Sequence, residues 1–129
     1  MKQSCIRVVL VAASLATAPL MLHAQNSDIG KREYVNSCAV CHGDSGKGDG
    51  PIAPSLKTPP TDLTTLQKNN GGVFPFGGVY EIINGRNAIA AHGSRDMPMW
   101  GQLFKDLDRD TAAIRVQGLT DYLKSLQKK

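Results

Sequence analysis

The chain has 129 residues, of which 15 are basic and 11 are acidic, and its formal net charge is +4. This length corresponds to one small domain. The basic residues are scattered along the sequence rather than clustered, which argues against a nucleic-acid-binding protein.

The N-terminal segment has the layout of a secretory signal peptide. Lys2 and Arg7 provide a basic start, an uncharged stretch follows, and Ala24 offers a small residue for cleavage. We therefore predict a signal peptide over residues 1–24 and an exported domain over residues 25–129. The uncharged stretch is shorter than the about 20 apolar residues of a membrane helix. We expect a periplasmic protein with no membrane span after cleavage.

Helical and irregular segments alternate in the first half of the exported domain. Ser27 or Asp28 can cap a helix over residues 29–38. Residues 43–60 are rich in glycine and proline and poor in large apolar groups, which predicts an irregular loop. A short helix over residues 62–66 is expected after this loop.

The second half ends in the most clearly predicted helix. Residues 79–83 indicate a brief helix, and Asn84-Gly85 suits a left-handed C-cap. Residues 86–104 are predicted to form a second long loop. After Asp108, a suitable cap, apolar residues recur at helical spacing. They are Ala112, Val116, Leu119, Leu123 and Leu126.

The fold class follows from these elements. No segment alternates between apolar and polar residues as a half-buried strand does, so we predict an all-α domain of three to five helices with long loops. Loops longer than about 12 residues are uncommon in compact domains unless they have a function. We therefore expect the loops to wrap a ligand.

Cysteine and histidine are concentrated in the pentapeptide Cys38-Ala39-Val40-Cys41-His42. Covalent haem sites, zinc sites and redox dithiols all use such residues. Zinc requires three or four ligands, and the exported chain offers only His92 as a further typical ligand. A redox dithiol is usually found in a thioredoxin-like βαβ pattern, which this sequence lacks.

The haem interpretation explains every residue of the pentapeptide. Two thiols that are two residues apart can form thioethers with the porphyrin, and the adjacent His42 can bind the iron. This interpretation is favoured over zinc and dithiol, and it predicts one covalently attached haem c with its iron.

A second axial ligand would come from the later loop. Met97, Met99 and His92 all lie there. A thioether ligand raises the reduction potential of haem iron. A single methionine is more often flexible core filler, but these two lie among small and polar residues. The residues alone leave all three candidates open.

With these features the chain resembles the class I c-type cytochromes, in the subgroup of small periplasmic monohaem proteins. The resemblance extends from about residue 30 to residue 126. Beside the pentapeptide and Gly43, it rests on Gly30, Tyr34, Gly46-Lys47-Gly48-Asp49-Gly50-Pro51, Ile83-Asn84-Gly85-Arg86, Met97-Pro98-Met99-Trp100 and Tyr122-Leu123.

The resemblance implies roles for several of these residues around the iron. In the family the methionine before a proline is the usual distal ligand, which assigns Met97, with Met99 as second choice. A proline carbonyl holds the other ring nitrogen of the histidine ligand, a role that Pro51 fits.

The resemblance also implies a close crossing of the terminal helices, at which Gly30 would accommodate Tyr122. Arg86 and Trp100 are suited to donate to the haem propionates, although such a residue is more often a surface group. Phe74 and Phe76 are expected to contribute to an apolar shell around the haem.

The predicted function is electron transfer. An iron with both axial positions filled by protein atoms has no vacant position for a substrate, so we expect an electron carrier and not an enzyme. Its partners would be redox proteins, an unidentified donor and acceptor, and it would be a monomer or a subunit of an oxidoreductase complex. Two alternatives remain: a dedicated haem subunit of a periplasmic dehydrogenase or reductase, and a ligand-binding or catalytic haem protein with an open sixth position.

Overall fold

The computed structural model describes the backbone of residues 18–85 and 97–128, and the side chains of residues 28–85 and 97–128. These ranges contain helices and no β-strand, which confirms the all-α class. The α-helices are α1 (Ala18–Ser37), α2 (Ala39–His42), α3 (Leu66–Asn69), α4 (Phe76–Asn84), α5 (Trp100–Leu107) and α6 (Arg109–Ser125), and two 3₁₀ turns span Ala53–Ser55 and Leu63–Thr65.

Helix α1 begins earlier than the sequence predicts. It starts at Ala18, well before the expected cap at Ser27 or Asp28. A capping side chain is a local preference of about 1 kcal/mol, and a helix can continue through it where the preceding residues also adopt helical angles. The signal-peptide boundary after Ala24 stays a prediction.

Helices α1 and α6 form the largest contact between described elements. At their crossing, a Cβ atom on Gly30 would overlap the carbonyl group of Gly118. The nearest neighbours of Gly30 are thus backbone atoms of Gly118 and Leu119 rather than the ring of Tyr122 that the sequence predicted. Tyr122 packs instead on Tyr34, with ring centroids 5.2 Å apart. The helices approach backbone to backbone, since a glycine on each helix leaves room for this.

An ion pair also joins these two helices. Arg115 donates from Nε and Nη2 to the two carboxylate oxygens of Glu33, at 3.0 and 2.8 Å. The guanidinium carbon lies 3.9 Å from the centre of the Phe104 ring. Because Glu33 is 9% exposed, this bidentate pair satisfies a charge that would be costly to bury alone.

Helix α6 confirms its predicted pattern. Asp108 caps it by accepting from the amide of Asp110 at 3.0 Å. The first four residues of the predicted stripe are buried and the last, Leu126, is half-buried. Burial of each leucine-sized side chain contributes about 1.5–3 kcal/mol, so this face fixes α6 against the rest of the domain.

The region before α6 is only partly as predicted. Gly85 ends α4 with a φ of 87°, as expected for a left-handed C-cap. Helix α5, however, lies partly within the predicted loop over residues 86–104. The loop prediction overlooked a helical repeat of apolar residues at its C-terminal end. That repeat consists of Trp100, Leu103, Phe104 and Leu107.

Candidate functional site

The pentapeptide forms a single tight turn after α1. The amide of His42 donates to the carbonyl of Cys38 at 2.9 Å, and that of Gly43 donates to Ala39 at 2.8 Å. The turn therefore places Cys38, Cys41 and His42 beside the same cavity.

The following glycine-rich loop folds back on the carbonyl end of α2. Gly50 donates to Cys41 at 3.0 Å, and Ile52 donates to Val40 at 3.2 Å. A Cβ atom on Gly50 would lie 2.5 Å from the carbonyl oxygen of Val40 and 2.6 Å from that of Ala39. Only glycine allows this approach, which supplies donors to helix carbonyls that have no partner within the helix.

Tyr34 holds the other end of the same turn. Its hydroxyl donates to the carbonyl of Gly43 at 2.6 Å, and its side chain is completely buried. Burial raises the pKa of Tyr34 above its usual range, with smaller contributions from nearby Cys38 and Tyr122. The phenol therefore stays protonated and keeps donating to the residue that follows His42.

The imidazole of His42 has a defined orientation. Its Nδ1 lies 3.1 Å from the carbonyl oxygen of Thr61. A carbonyl can only accept, so Nδ1 carries the proton and, in the neutral ring, Nε2 is the nitrogen that can bind a metal. The ring is 8% exposed.

The acceptor beside Nδ1 is Thr61 and not Pro51, which corrects the sequence prediction. Pro51 is exposed and lies in the glycine-rich loop that folds over the backbone of α2. Thr61 reaches the ring because Leu63 donates to Gly46 at 2.7 Å. This long-range contact brings the segment after the loop against the glycines.

A cavity of about 430 Å³ lies next to this turn. Its volume falls within the range of about 300–1,000 Å³ of small-molecule and cofactor sites. Cys38, Cys41 and His42 line it together with Met97 and Trp100. An adjoining cavity of about 70 Å³ shares four of these five residues, all except Cys41, and is lined by apolar residues of α3, α4 and α6.

The two methionine candidates lie in different surroundings. Met97 is half-buried and lines both cavities. Met99 is 53% exposed, and its side chain lies against Gly85, where a Cβ atom would be 3.1 Å away. The structure therefore brings Met97 to the same cavity as His42.

Not all of the other predicted site residues lie at the two cavities. Trp100 lines both cavities. Arg86 and His92 lie outside the described residues. Phe74 and Phe76 pack edge to face with centroids 6.2 Å apart, and neither is among the residues that line these two cavities. The apolar lining of the smaller cavity comes instead from Leu63, Leu66, Val79, Ile82, Ile83, Leu119 and Leu123.

The burial of the two cysteines bears on the interpretations of the pentapeptide. Cys38 and Cys41 are both half-buried beside the large cavity. Burial raises the pKa of Cys38 to about 12, with smaller contributions from Cys41 and Glu33. A reactive dithiol has a lowered thiol pKa, and the burial of Cys38 acts in the opposite direction. Among residues 28–85 and 97–128, no group of three His, Cys, Asp or Glu side chains is arranged to hold a metal ion; His92, the further zinc ligand considered above, lies outside these residues.

These residues fit a covalently attached haem. A half-buried pair of thiols lies on one wall of a cofactor-sized cavity, beside an imidazole whose metal-binding nitrogen is determined by Thr61. Met97 supplies a thioether to the same cavity. Apolar side chains line the adjoining space, which limits access of water to a bound group.

Comparisons with known proteins agree with this fit. Residues 25–114 match the family model of cytochrome c oxidase, cbb3-type, subunit III. No curated protein and no solved structure gave a significant match. Within the described part of the chain, no helix combines the length and hydropathy needed to cross a membrane. The match covers more than half of the chain, which therefore belongs to this family: it is a c-type cytochrome with a covalently attached haem c, and an electron-transfer protein.

Proposed function

We propose that this protein is a periplasmic monohaem cytochrome that transfers single electrons, with His42 and Met97 as the axial ligands of its iron. Haem c supplies one-electron redox chemistry when it is bound. The observation that carries the proposal is that Cys38, Cys41, His42 and Met97 line one cavity. Export to the periplasm is supported by the signal-peptide pattern over residues 1–24 and by the family.

Each protein ligand has a distinct role in this proposal. His42 donates from Nδ1 to Thr61, which orients the ring and makes Nε2 a stronger donor. Met97 provides a neutral, polarisable sulfur, which favours the ferrous state. Two protein ligands leave no vacant coordination position, so the site is suited to electron transfer rather than to substrate binding.

Electrons would enter and leave beside Cys41. Val40 and Ile52 line the large cavity and are 44% and 40% exposed. Such an apolar rim is suited to brief docking of a redox protein. Interfaces of this transient kind bury less than about 1,200 Å² of total surface.

The first experiment tests both ligands in protein exported by cells that contain haem-attachment machinery. A covalent c-type spectrum with the weak red-end band of methionine-to-ferric-iron ligation is expected. Met97→Ala should lose this band and bind carbon monoxide, whereas the matched control Met99→Ala should retain the band. Absence of covalent haem would overturn the proposal, and carbon monoxide binding by the unaltered protein would favour the open-site alternative.

A permanent subunit of an oxidoreductase complex is a second candidate function. The family description names a subunit, and α5 and α6 expose three large apolar side chains. These are Leu103, Leu107 and Ile114, at 42%, 75% and 50%. Size exclusion of native extract separates the two candidates, because a free carrier elutes alone and a subunit elutes with a catalytic partner.

A further inference from the structure

The segment that carries Thr61 is held in place by contacts of the residues that directly follow it. The Asp62 carboxylate accepts from the amide and the hydroxyl of Thr64, at 2.8 and 2.6 Å. The amide of Leu63 donates to the carbonyl of Gly46 in the glycine-rich loop at 2.7 Å. The Thr61 carbonyl is therefore presented to His42 by a segment whose position depends on other parts of the chain.

Gln127, two residues beyond the end of α6, makes the most contacts to this segment. Its Nε2 donates to the carbonyl of Leu63 at 2.7 Å, and its Oε1 accepts from the amide of Gln67 at 2.8 Å. The same Nε2 lies 2.7 Å from the carbonyl of Leu123 in α6. The side chain of Gln127 thus connects Leu63 in the 3₁₀ turn and Gln67 in α3 to Leu123 in α6.

Lys128, the next residue, makes two further contacts with this segment. The backbone amide of Lys128 donates to the carbonyl of Thr64 at 3.0 Å, and its ammonium lies 3.8 Å from the Asp62 carboxylate. The ammonium is largely exposed, so this pair is screened and contributes little. The attachment of the segment to the C-terminal end of the chain therefore depends on the backbone hydrogen bond of Lys128 and on the three hydrogen bonds of Gln127.

We infer that Gln127 is a positioning residue for the proximal histidine: by holding the segment around Leu63, it maintains the Thr61 carbonyl at Nδ1 of His42 and thereby tunes the reduction potential. The inference rests on the proposed role of His42 as an iron ligand. A stronger hydrogen bond from Nδ1 makes the imidazole a better donor, which stabilises the ferric state. Loosening the segment therefore raises the potential.

The test compares Gln127→Met with the unaltered holoprotein. Methionine has a similar length but makes none of the three hydrogen bonds. We expect the Nδ1 proton of His42 to exchange with solvent about tenfold faster in NMR spectra of the ferrous protein. We also expect the ferric-to-ferrous equilibrium to shift about threefold towards ferrous, equivalent to a rise of about 28 mV at 59 mV per tenfold change for one electron.

Gln117→Ala is the matched control. Gln117 lies on α6 and donates within that helix to Asp121 at 3.2 Å, with no hydrogen bond to the Thr61 segment. It should change neither the exchange nor the potential. If Gln127→Met unfolds, Gln127→Glu is measured in its place, because it keeps an acceptor for Gln67 and loses the donor to Leu63.

Two results would overturn the role of Gln127: folded variants with unchanged exchange and potential, or an equal shift in Gln117→Ala. Failure of the proposed function gives a different result. In that case the unaltered protein itself lacks the spectrum of a haem with an axial histidine, before any variant is compared.

Discussion

The two walls of the haem cavity are built in different ways. On the proximal wall, His42 is surrounded by backbone hydrogen bonds, by Tyr34 and by the Thr61 carbonyl. On the distal wall, Met97 comes just before α5, whose position depends on packing. A Cβ atom on Gly101 would lie 2.6 Å from the Cα of Asn84 at the end of α4.

This difference indicates that the walls serve different purposes. The proximal wall must orient two thiols and one ring nitrogen, and directional hydrogen bonds are suited to that task. In the proposed site, the distal wall supplies one flexible thioether, which tolerates small changes of angle. Damage to the proximal wall should therefore affect haem attachment, and damage to the distal wall should affect methionine ligation alone.

The largest effect is expected from Gly50→Ala on the proximal wall. The new Cβ would meet backbone atoms of Ala39, Val40 and Cys41 at 2.5–2.6 Å, so the loop must leave α2. We expect a loss of about 3 kcal/mol in the free energy of unfolding and a reduced yield of covalent haem. Chemical denaturation and haem staining after denaturing electrophoresis measure the two effects.

Gly77→Ala is the control for this substitution. No atom outside its neighbours lies within 4 Å of a Cβ at Gly77, so the yield of haem should not change. An unchanged haem yield in Gly50→Ala would mean that the glycine loop does not determine the geometry of the thiols.

A smaller effect is expected from Gly101→Ala on the distal wall. Helix α5 must shift from Asn84, at a cost of about 2 kcal/mol. Covalent haem should be retained while the red-end methionine band weakens in the absorption spectrum. Loss of covalent haem to the same extent as in Gly50→Ala would show that the two walls are not independent.

Tyr34→Phe isolates one hydrogen bond of the proximal wall. The change removes the shorter of the two hydrogen bonds that the carbonyl of Gly43 accepts, since the amide of Gly46 still donates to it at 3.1 Å; loss of one buried hydrogen bond costs about 1 kcal/mol. Thermal unfolding of the holoprotein measures this loss. Tyr122→Phe is the matched control, since the Tyr122 hydroxyl has no hydrogen-bond partner among the described residues; equal destabilisation in both variants would contradict the assigned role of the Tyr34 hydroxyl.

The smallest effect is a pH dependence at Asp62. Hydrogen bonding from the Thr64 hydroxyl, assisted by its amide, holds the pKa of Asp62 below the ordinary value of 3.8. Its stabilisation is therefore fully present above about pH 4 and is lost as the pH falls through the lowered folded-state pKa. Asp62→Asn should lose less than about 1 kcal/mol at neutral pH, because the group is partly exposed, and this loss should become smaller as the pH falls through the lowered pKa.

Asp108→Asn is the comparison for this dependence. Asp108 also has a lowered pKa, caused first by the Thr111 hydroxyl, but it caps α6 away from the cavity. Because each substitution removes a contribution that is present at neutral pH and lost in acid, both variants should show a smaller fall in stability between neutral and acidic pH in denaturation series. Only Asp62→Asn should also broaden the NMR signal of the His42 Nδ1 proton; an equal response to Asp108→Asn would contradict a local link from Asp62 to the histidine.

Local patterns in the sequence were sufficient for part of this structure. The stripe on α6, its Asp108 cap and the Gly85 C-cap follow from residues within a few positions of each other. Helix α5 shows the limit, because the same kind of repeat is present at residues 100–107 and follows a stretch rich in polar and small residues. The loop predicted from that stretch was extended too far, to residue 104.

Long-range partners could not be found in this way. The contact of Gly30 with Gly118 and that of His42 with Thr61 join residues whose separation carries no periodic signal. The family resemblance assigned Tyr122 to the contact with Gly30 and Pro51 to the hydrogen bond with His42. In the structure, Gly118 lies nearest to Gly30 and Thr61 accepts from His42. The spacing of residues in the sequence also gives no indication of the hydrogen bond from Gln127 to Leu63, on which its proposed role toward His42 depends.

The sequence by itself therefore determined the chemistry of attachment, since Cys38, Cys41 and His42 occupy one turn and their spacing requires no distant contact. It also determined the amphipathic terminal helix. Only the tertiary structure decided which carbonyl lies at Nδ1 of His42 and which methionine lines its cavity. These choices depend on how distant segments pack, and packing is settled by the whole chain rather than by any one stretch of it.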